Sequence, residues 1–284
     1  MLLFGKTNII FPMKKGVFMA KKKNGDAYFR AGITYHGKHI SLGSFPTEDI
    51  AHAAYVEADR LYKDETVTLS DLQDTLRILS YDKVITILNH RDHNVYIKTP
   101  IYLRQGYFSY YLKDFGELKF DNDDLFYYSE HRILVHDGHI YVNDFGMQYG
   151  ILARYGIKNF AVAGKDYTFA NGDELDFRYQ NIIVINRYHG VTKKTIAGRD
   201  RFETKIHING EYLIGRFSSD AEAAVAYNKA VDAAKAAGVD KNFIQNYIVE
   251  YTAKEYADIY SDVALPEKYL CYLKNYRCHS VISP

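Results

Sequence analysis

The feature that most constrains this chain is a strand–turn–strand–helix pattern in its second half. Over residues 201–208 the side chains alternate strictly between two sets, which is the period of a half-buried strand. Asn209 and Gly210 follow, and both residue types tolerate the positive φ angles of a tight hairpin turn. The pattern predicts a hairpin leading into a third strand at 212–217. One face carries Phe202, Thr204, Ile206 and Ile208, and the other carries Arg201, Glu203, Lys205 and His207.

An earlier strand signal and a later helix complete this unit. The strand signal at 189–194 includes two lysines, and residues 218–220 offer helix N-caps. Small residues then recur at helical spacing, with Tyr227 and Val231 on the same face: Ala223, Ala226, Ala230 and Ala234. Because alanines let a helix lie close to a sheet, we expect one sheet face to be buried and the charged face to stay open.

The same pattern occurs near the start of the chain. Phe29, Ala31, Ile33, Tyr35 and Gly37 match Phe202, Thr204, Ile206, Ile208 and Gly210 at one constant offset. The offset is one residue smaller for Gly43, Phe45, Ala51, Ala54, Tyr55 and Ala58, which match Gly215, Phe217, Ala223, Ala226, Tyr227 and Ala230. This slip predicts a length difference in the hairpin turn or the third strand. Such self-similarity is typical of an internal repeat.

These residues resemble a known DNA-binding family. The Gly-Val opening, the alternating second strand, the Gly-x-Phe ending of the third strand and the helix Ser-x-x-Glu-Ala-Ala-x-Ala-Tyr are similar to the DNA-binding domain of ethylene-response and APETALA-type factors. The resemblance implies that residues 16–63 and 189–238 each form a three-stranded antiparallel sheet with one helix behind it. It also implies that each sheet lies in the major groove of double-stranded DNA.

The residues that the strands place outward are the candidate DNA contacts. Arginine and lysine can bond guanine, glutamate can accept from cytosine, and any of the cations can instead contact phosphate. The two outward sets differ, which predicts two unlike half-sites rather than a palindrome. The candidates are Lys21, Lys22, Lys23, Arg30, Thr34 and His39 in copy one, and Lys193, Lys194, Arg201, Glu203, Lys205, His207 and Arg216 in copy two.

Composition limits how such a protein could bind DNA. The chain has 36 lysines and arginines against 35 acidic residues, for a formal net charge of +1. Affinity for nucleic acid must therefore come from local clusters, although lysine runs are also typical of a solvated surface.

Cys271 and Cys278 fit no disulfide framework or zinc pattern. The apolar start at 1–11 is too short for a signal peptide, and no stretch approaches a membrane span. We expect a cytoplasmic, nucleoid-associated protein of bacterial or phage type.

The segments outside the repeats complete an α+β fold. Residues 64–94 carry a leucine-rich pattern that predicts a helical linker, and residues 95–188 predict a separate middle domain. Within that domain we expect a hairpin around Asp137-Gly138 and a helix at 145–155. The C-terminal segment, 239–284, predicts further helix that either covers the second repeat or binds a partner.

The middle domain resembles an HNH homing endonuclease of ββα type. Asp166-Tyr167, Asn171-Gly172-Asp173, Leu175-Asp176-Phe177-Arg178 and Asn181-Ile182 are similar to the signature D-H-x-N-G-D-x-L-D-N-R-x-x-N-L. The resemblance implies a divalent metal and a histidine base. Tyr167 stands where the base is expected, and with a pKa near ~10 it is a poor base at neutral pH. Phe177 replaces an asparagine, so we expect a degenerate site without catalytic residues or cofactor.

Three alternatives stay open. An active endonuclease would use Asp166, Asn181 and His189 with magnesium or manganese, and Asp166 and His189 would be its metal candidates. A protein-interaction module would bind its partner with little response to salt, unlike a phosphate binder. The middle domain could also serve as a homodimer surface. A metal cluster of His131, His136 and His139 is disfavoured, since residues flanking a turn are usually exposed.

Overall fold

The computed structural model describes residues 13–72 and 77–280, without the side chains of Leu72 and of 277–280. The apolar start, part of the predicted linker and the last four residues lie outside the described residues. The fold is α+β, with small antiparallel sheets and, within the described ranges, six α-helices. The chain divides into two compact units, 1–133 with 175–178 and 134–174 with 179–284. The division falls inside 95–188, the range predicted as one domain.

The first unit begins with copy one of the repeat. Its elements are β1 (Val17–Lys21), β2 (Ala27–Tyr35), β3 (Lys38–Phe45) and α1 (Glu48–Lys63). The strands form an antiparallel sheet in the order β1-β2-β3. The hydroxyl of Thr47 caps α1 by accepting from the N–H of Ile50 at 3.3 Å. Alanines of α1 pack on the sheet as the repeat pattern predicts.

A second layer follows in the same unit. Its elements are α2 (Tyr81–His93), β4 (Ile101–Leu103), β5 (Tyr107–Leu112), β6 (Gly116–Asp121) and α3 (Leu125–Glu130). The predicted helical linker supplies α2, whose Val84, Ile85 and Leu88 are fully buried in one core with residues of α1. This segment is therefore part of the hydrophobic core. Phe177, from the short stretch that returns to this unit, stacks on Phe120 with ring centroids 5.5 Å apart.

The second unit starts with β7 (Ile133–His136, whose first residue belongs to the first unit), β8 (His139–Asp144) and β9 (Met147–Gly150). The hairpin at Asp137-Gly138 is confirmed, with positive φ at both residues. The predicted helix at 145–155 is wrong. Phe145 and Gly146 have φ values of 47° and 77°, so the chain reverses and Met147 pairs with Asp144. A 3₁₀ turn follows at Ile151–Tyr155.

Copy two of the repeat lies in the second unit. After β10 (Tyr167–Phe169) and β11 (Ile182–Val184) come β12 (Val191–Ile196), β13 (Arg199–His207), β14 (Glu211–Phe217) and α4 (Asp220–Ala236). The sheet order is β12-β13-β14, again antiparallel. Ser219 caps α4 by accepting from the N–H of Glu222 at 3.1 Å.

The two copies agree in detail. Each has a β-bulge at the same place, between Ala31 and Gly32 in copy one and between Thr204 and Lys205 in copy two. The one-residue slip lies in the hairpin turn, because the pair Thr34–His39 encloses one residue more than the pair His207–Glu211. The internal repeat is thus a repeat of structure as well as of sequence.

The C-terminal segment packs against copy two. It forms α5 (Ala253–Asp262) and α6 (Glu267–Ser280), while the apolar stretch before α5 is irregular rather than helical. Tyr269 is fully buried, and its hydroxyl donates to the carbonyl of Ala230 at 2.8 Å. Of the two roles considered for this segment, the structure shows the covering one.

No helix among the described residues is long and apolar enough to cross a membrane.

Candidate nucleic-acid interface

The sheet face of copy two that points away from α4, here the open face of copy two, is organised by a buried carboxylate. Glu203 is only 4% exposed. One carboxylate oxygen lies 3.0 Å from Lys194 Nζ and 3.7 Å from Lys205 Nζ, and the other accepts from Arg216 Nε at 3.1 Å. The three cationic side chains keep 41–54% of their surface exposed. The face therefore presents three exposed cations around one central anion.

The surroundings keep Glu203 ionised. Burial alone would raise the pKa of this carboxyl, but the hydrogen bonds from Lys194 and Arg216 outweigh it and hold the pKa below its usual range. A carboxylate so enclosed is poorly placed to accept from cytosine. The outward orientation of Glu203 agrees with the sequence pattern, and its contacts point to positioning the neighbouring cations.

The open face of copy one, defined in the same way, places aromatic side chains around Arg30. Phe18 lies opposite Arg30 in the strand register and is 57% exposed. The guanidinium of Arg30 donates to the hydroxyl of Tyr28 at 2.8 Å. Further along, Thr34 Oγ1 lies 3.4 Å from a ring nitrogen of His39. Sequence reasoning missed Phe18 and Tyr28, although alternation from Val17 on β1 places Phe18 outward and alternation from Ala31 on β2 places Tyr28 outward.

Two of the predicted contacts lie on the other face of their sheets. Lys193 is paired with the inward-facing Phe202, and its ammonium binds Asp200 at 2.6 Å. Lys21 shares the inward parity of Val17 on β1. Neighbours along a strand point to opposite faces, so the lysines of each run cannot all face DNA. This corrects the assignment of Lys193 and Lys21 to the open faces.

The other basic candidates remain accessible. Lys22 and Lys23 continue from β1 into the turn, and with Lys21, Tyr28 and Phe45 they line an open depression of about 670 Å³. Arg201 is half-buried and lies opposite Lys194 on the open face of copy two, while His207 is exposed opposite Glu211.

The proposed nuclease centre is occupied by protein groups. Asp166 is 4% exposed, and one carboxylate oxygen lies 2.8 Å from Lys158 Nζ. The other accepts from the backbone N–H of Val162 at 2.9 Å. Burial would raise the pKa of Asp166, but Lys158 and this N–H hold it below its usual range. A lysine ammonium thus stands where a divalent cation would have to bind.

The remaining candidates do not complete a metal site. His189 lines a cavity of about 460 Å³ with Asp166 and Lys158, and burial together with Lys158 lowers the pKa of its ring. Asn181 is not among the lining residues. Its side chain instead accepts from the backbone N–H of Asn171 at 2.8 Å, which fastens a loop. Within the described part of the chain, no group of three or more histidine, cysteine or acidic side chains could hold a metal ion. The donor set does not fit magnesium or manganese.

Tyr167, at the position expected for the general base, is also poorly suited to its role. Burial raises the pKa of the Tyr167 hydroxyl further, with a smaller contribution from Glu174. The ring packs edge-on against Phe169. A phenol of raised pKa is a weaker proton acceptor at neutral pH, since its phenolate form is rarer.

Comparison with known proteins gives no match to a family model, a curated protein or a solved structure.

Proposed function

We propose that this protein binds double-stranded DNA through the open faces of its two repeats and does not cleave it. The observation that carries this proposal is the cation group of Lys194, Lys205 and Arg216, held by a buried carboxylate on an open sheet face. Exposed cations that the fold positions are suited to contact the DNA backbone, where charge neutralisation releases counterions. Their arrangement matters more than the net charge of +1.

The shape of the repeats supports the same proposal. The DNA major groove is about 12 Å wide and admits a two-stranded β-ribbon. The long hairpins β2–β3 and β13–β14 carry Arg30 in copy one and Glu203, Lys205 and Arg216 in copy two. Resemblance to the ethylene-response and APETALA-type domain favours the same mode of docking. A transcriptional regulator, or a domesticated relic of a homing endonuclease acting at the nucleoid, is the role that we propose.

The alternative of an active endonuclease receives less support. It needs Asp166 free to bind a metal, whereas both of its carboxylate oxygens already have partners. A protein-interaction module is distinguishable by its salt response, since only a phosphate binder loses affinity steeply as salt rises.

Selection from a pool of random duplexes tests the proposal. Because Arg30 and Thr34 differ from their counterparts Glu203 and His207, we expect one protein chain to enrich two unlike elements. Two identical inverted elements would instead indicate a homodimer reading a palindrome. Failure to enrich or retain any duplex at low salt would contradict DNA binding itself.

A further inference from the structure

We infer that the two copies divide the work on DNA: copy one discriminates bases through Arg30, and copy two holds phosphates through the cations around Glu203. This inference rests on the proposed DNA binding. It starts from a charge reversal at one position of the repeat, where copy one has a cation and copy two has an anion.

The register of the sheets establishes that reversal. Arg30 and Glu203 each lie on the central strand, directly before the two residues between which the register shifts. Arg30 is flanked by Phe18 on the first strand and Ser44 on the third. Glu203 is flanked by Thr192 and Arg216 at the same two places. The centre of the face is therefore a guanidinium in copy one and a carboxylate in copy two.

In copy one the guanidinium is held but not neutralised. Among the described residues, no carboxylate forms an ion pair with Arg30, and Tyr28 both accepts its hydrogen bond and underlies it at 5.5 Å from ring centroid to guanidinium carbon. A planar guanidinium fixed in this way can bond the two acceptors of guanine at once. The exposed ring of Phe18 beside it suits an apolar contact such as the thymine methyl group. Arg30, at the centre of this face and without a carboxylate partner among the described residues, is therefore suited to base discrimination.

In copy two the cations are shared with a central anion. Lys194 and Lys205 carry compact point charges, which suit phosphate better than the paired acceptors of a base edge. Arg216 and Arg30 each have one guanidinium N–H engaged, by Glu203 and Tyr28 respectively, but only the charge of Arg216 is shared with a carboxylate. These three cations outnumber their carboxylate partners, Glu203 and Glu211, which leaves a positive face that can bind phosphates in any sequence. Copy two should therefore account for most of the salt dependence of binding.

The test measures selectivity and salt dependence separately. Polarisation titrations would use the full chain, the duplex selected by the wild type and the same duplex with its guanine positions changed, each at four salt concentrations. Arg30→Lys keeps the charge and removes the fork. It should lower the affinity ratio of the two duplexes about ten- to a hundredfold and leave the salt slope unchanged.

Lys194→Ala is the counterpart in copy two. It should make the salt slope shallower by roughly 0.9 for the phosphate contact removed and leave the affinity ratio unchanged. Thermal melting would verify that both variants fold, and both changes lie at side chains that are at least partly exposed. The reverse pattern, or equal effects of both changes on ratio and slope, would overturn the division of work while leaving DNA binding intact. Absence of wild-type binding to any duplex would instead overturn the proposed function.

Discussion

The ring of Tyr227 lies so close to Gly190 that a Cβ atom there would be 2.1 Å from ring carbon Cδ2. Copy one repeats the relationship, with a Cβ on Gly16 placed 2.0 Å from Cδ2 of Tyr55. Each glycine also has a positive φ, and its carbonyl accepts from the residue after the bulge: Gly32 at 2.9 Å and Lys205 at 2.8 Å. Both copies therefore require glycine directly before the first strand, because a side chain there would overlap the tyrosine ring of the helix.

Gly190→Ala should destabilise the second unit. The substitution meets both the tyrosine ring and an unfavourable backbone conformation, so the free energy of unfolding should fall by about 2–5 kcal/mol. Urea unfolding measures this difference. Gly210→Ala is the matched control, because nothing lies within 4 Å of a Cβ at that position. Equal stability of the two variants would show that the packing around Tyr227 is not as described.

Glu203→Gln should weaken the fold in a pH-dependent way. At pH 7 the loss should be on the order of 1–3 kcal/mol, since hydrogen bonds to an ionised group are lost. The pKa of Glu203 is lowered in the folded chain. Its contribution is therefore present above the unfolded pKa of about 4.3 and disappears as the pH falls through the lower folded value.

Urea titrations at pH 7 and at acidic pH would measure this effect. The free energies of unfolding of the wild type and of Glu203→Gln should become more similar at the acidic pH. Glu211→Gln is the control, since Glu211 is an exposed partner of Lys205. A stability difference that grows as the pH falls would contradict the predicted direction of the pH dependence.

Lys158→Met should lower the free energy of unfolding, because it leaves the buried carboxylate of Asp166 unpaired. Removing one partner of a buried ion pair costs about 3–5 kcal/mol, and here Asp166 would remain without its ammonium. Without Lys158 the pKa of Asp166 should rise, so the loss should be smaller at pH 4 than at pH 7. Lys165→Met changes an exposed neighbour and should have little effect. If Lys158→Met and Lys165→Met had the same stability at both pH values, the ion pair between Lys158 and Asp166 would not stabilise the fold.

Lys229→Met should loosen the C-terminal helices. The Lys229 ammonium donates to the carbonyls of Tyr260 at 2.6 Å and Val263 at 2.7 Å, at the end of α5. Its loss leaves those carbonyls without their donor, so amide hydrogen exchange over 253–280 should accelerate more than over β12–β14. Lys235→Met, on the same helix and exposed, is the control. Uniform acceleration across the unit would instead indicate global destabilisation.

Local periodicity predicted the repeats, because alternation and helical spacing depend only on neighbours along the chain. Register and long-range packing were not accessible in this way. The enclosure of Glu203 requires Lys194 and Arg216 to meet across three strands, and the pairing of Asp166 with Lys158 requires a particular loop path. The turn at Phe145 was missed because a bulky residue rarely adopts positive φ. Lys21 and Lys193 share the inward parity of their strands, and a run of lysines does not by itself indicate which of its members face outward.

The most direct test of DNA binding by these sheets is the salt dependence of binding to a labelled duplex pool, with and without magnesium. We predict that the logarithm of the affinity falls linearly with the logarithm of salt concentration. The slope should correspond to several phosphate contacts at about 0.9 each, with the DNA intact throughout. Binding that barely responds to salt would contradict the account and favour a protein partner. Magnesium-dependent cleavage would contradict the proposal that the protein does not cleave DNA.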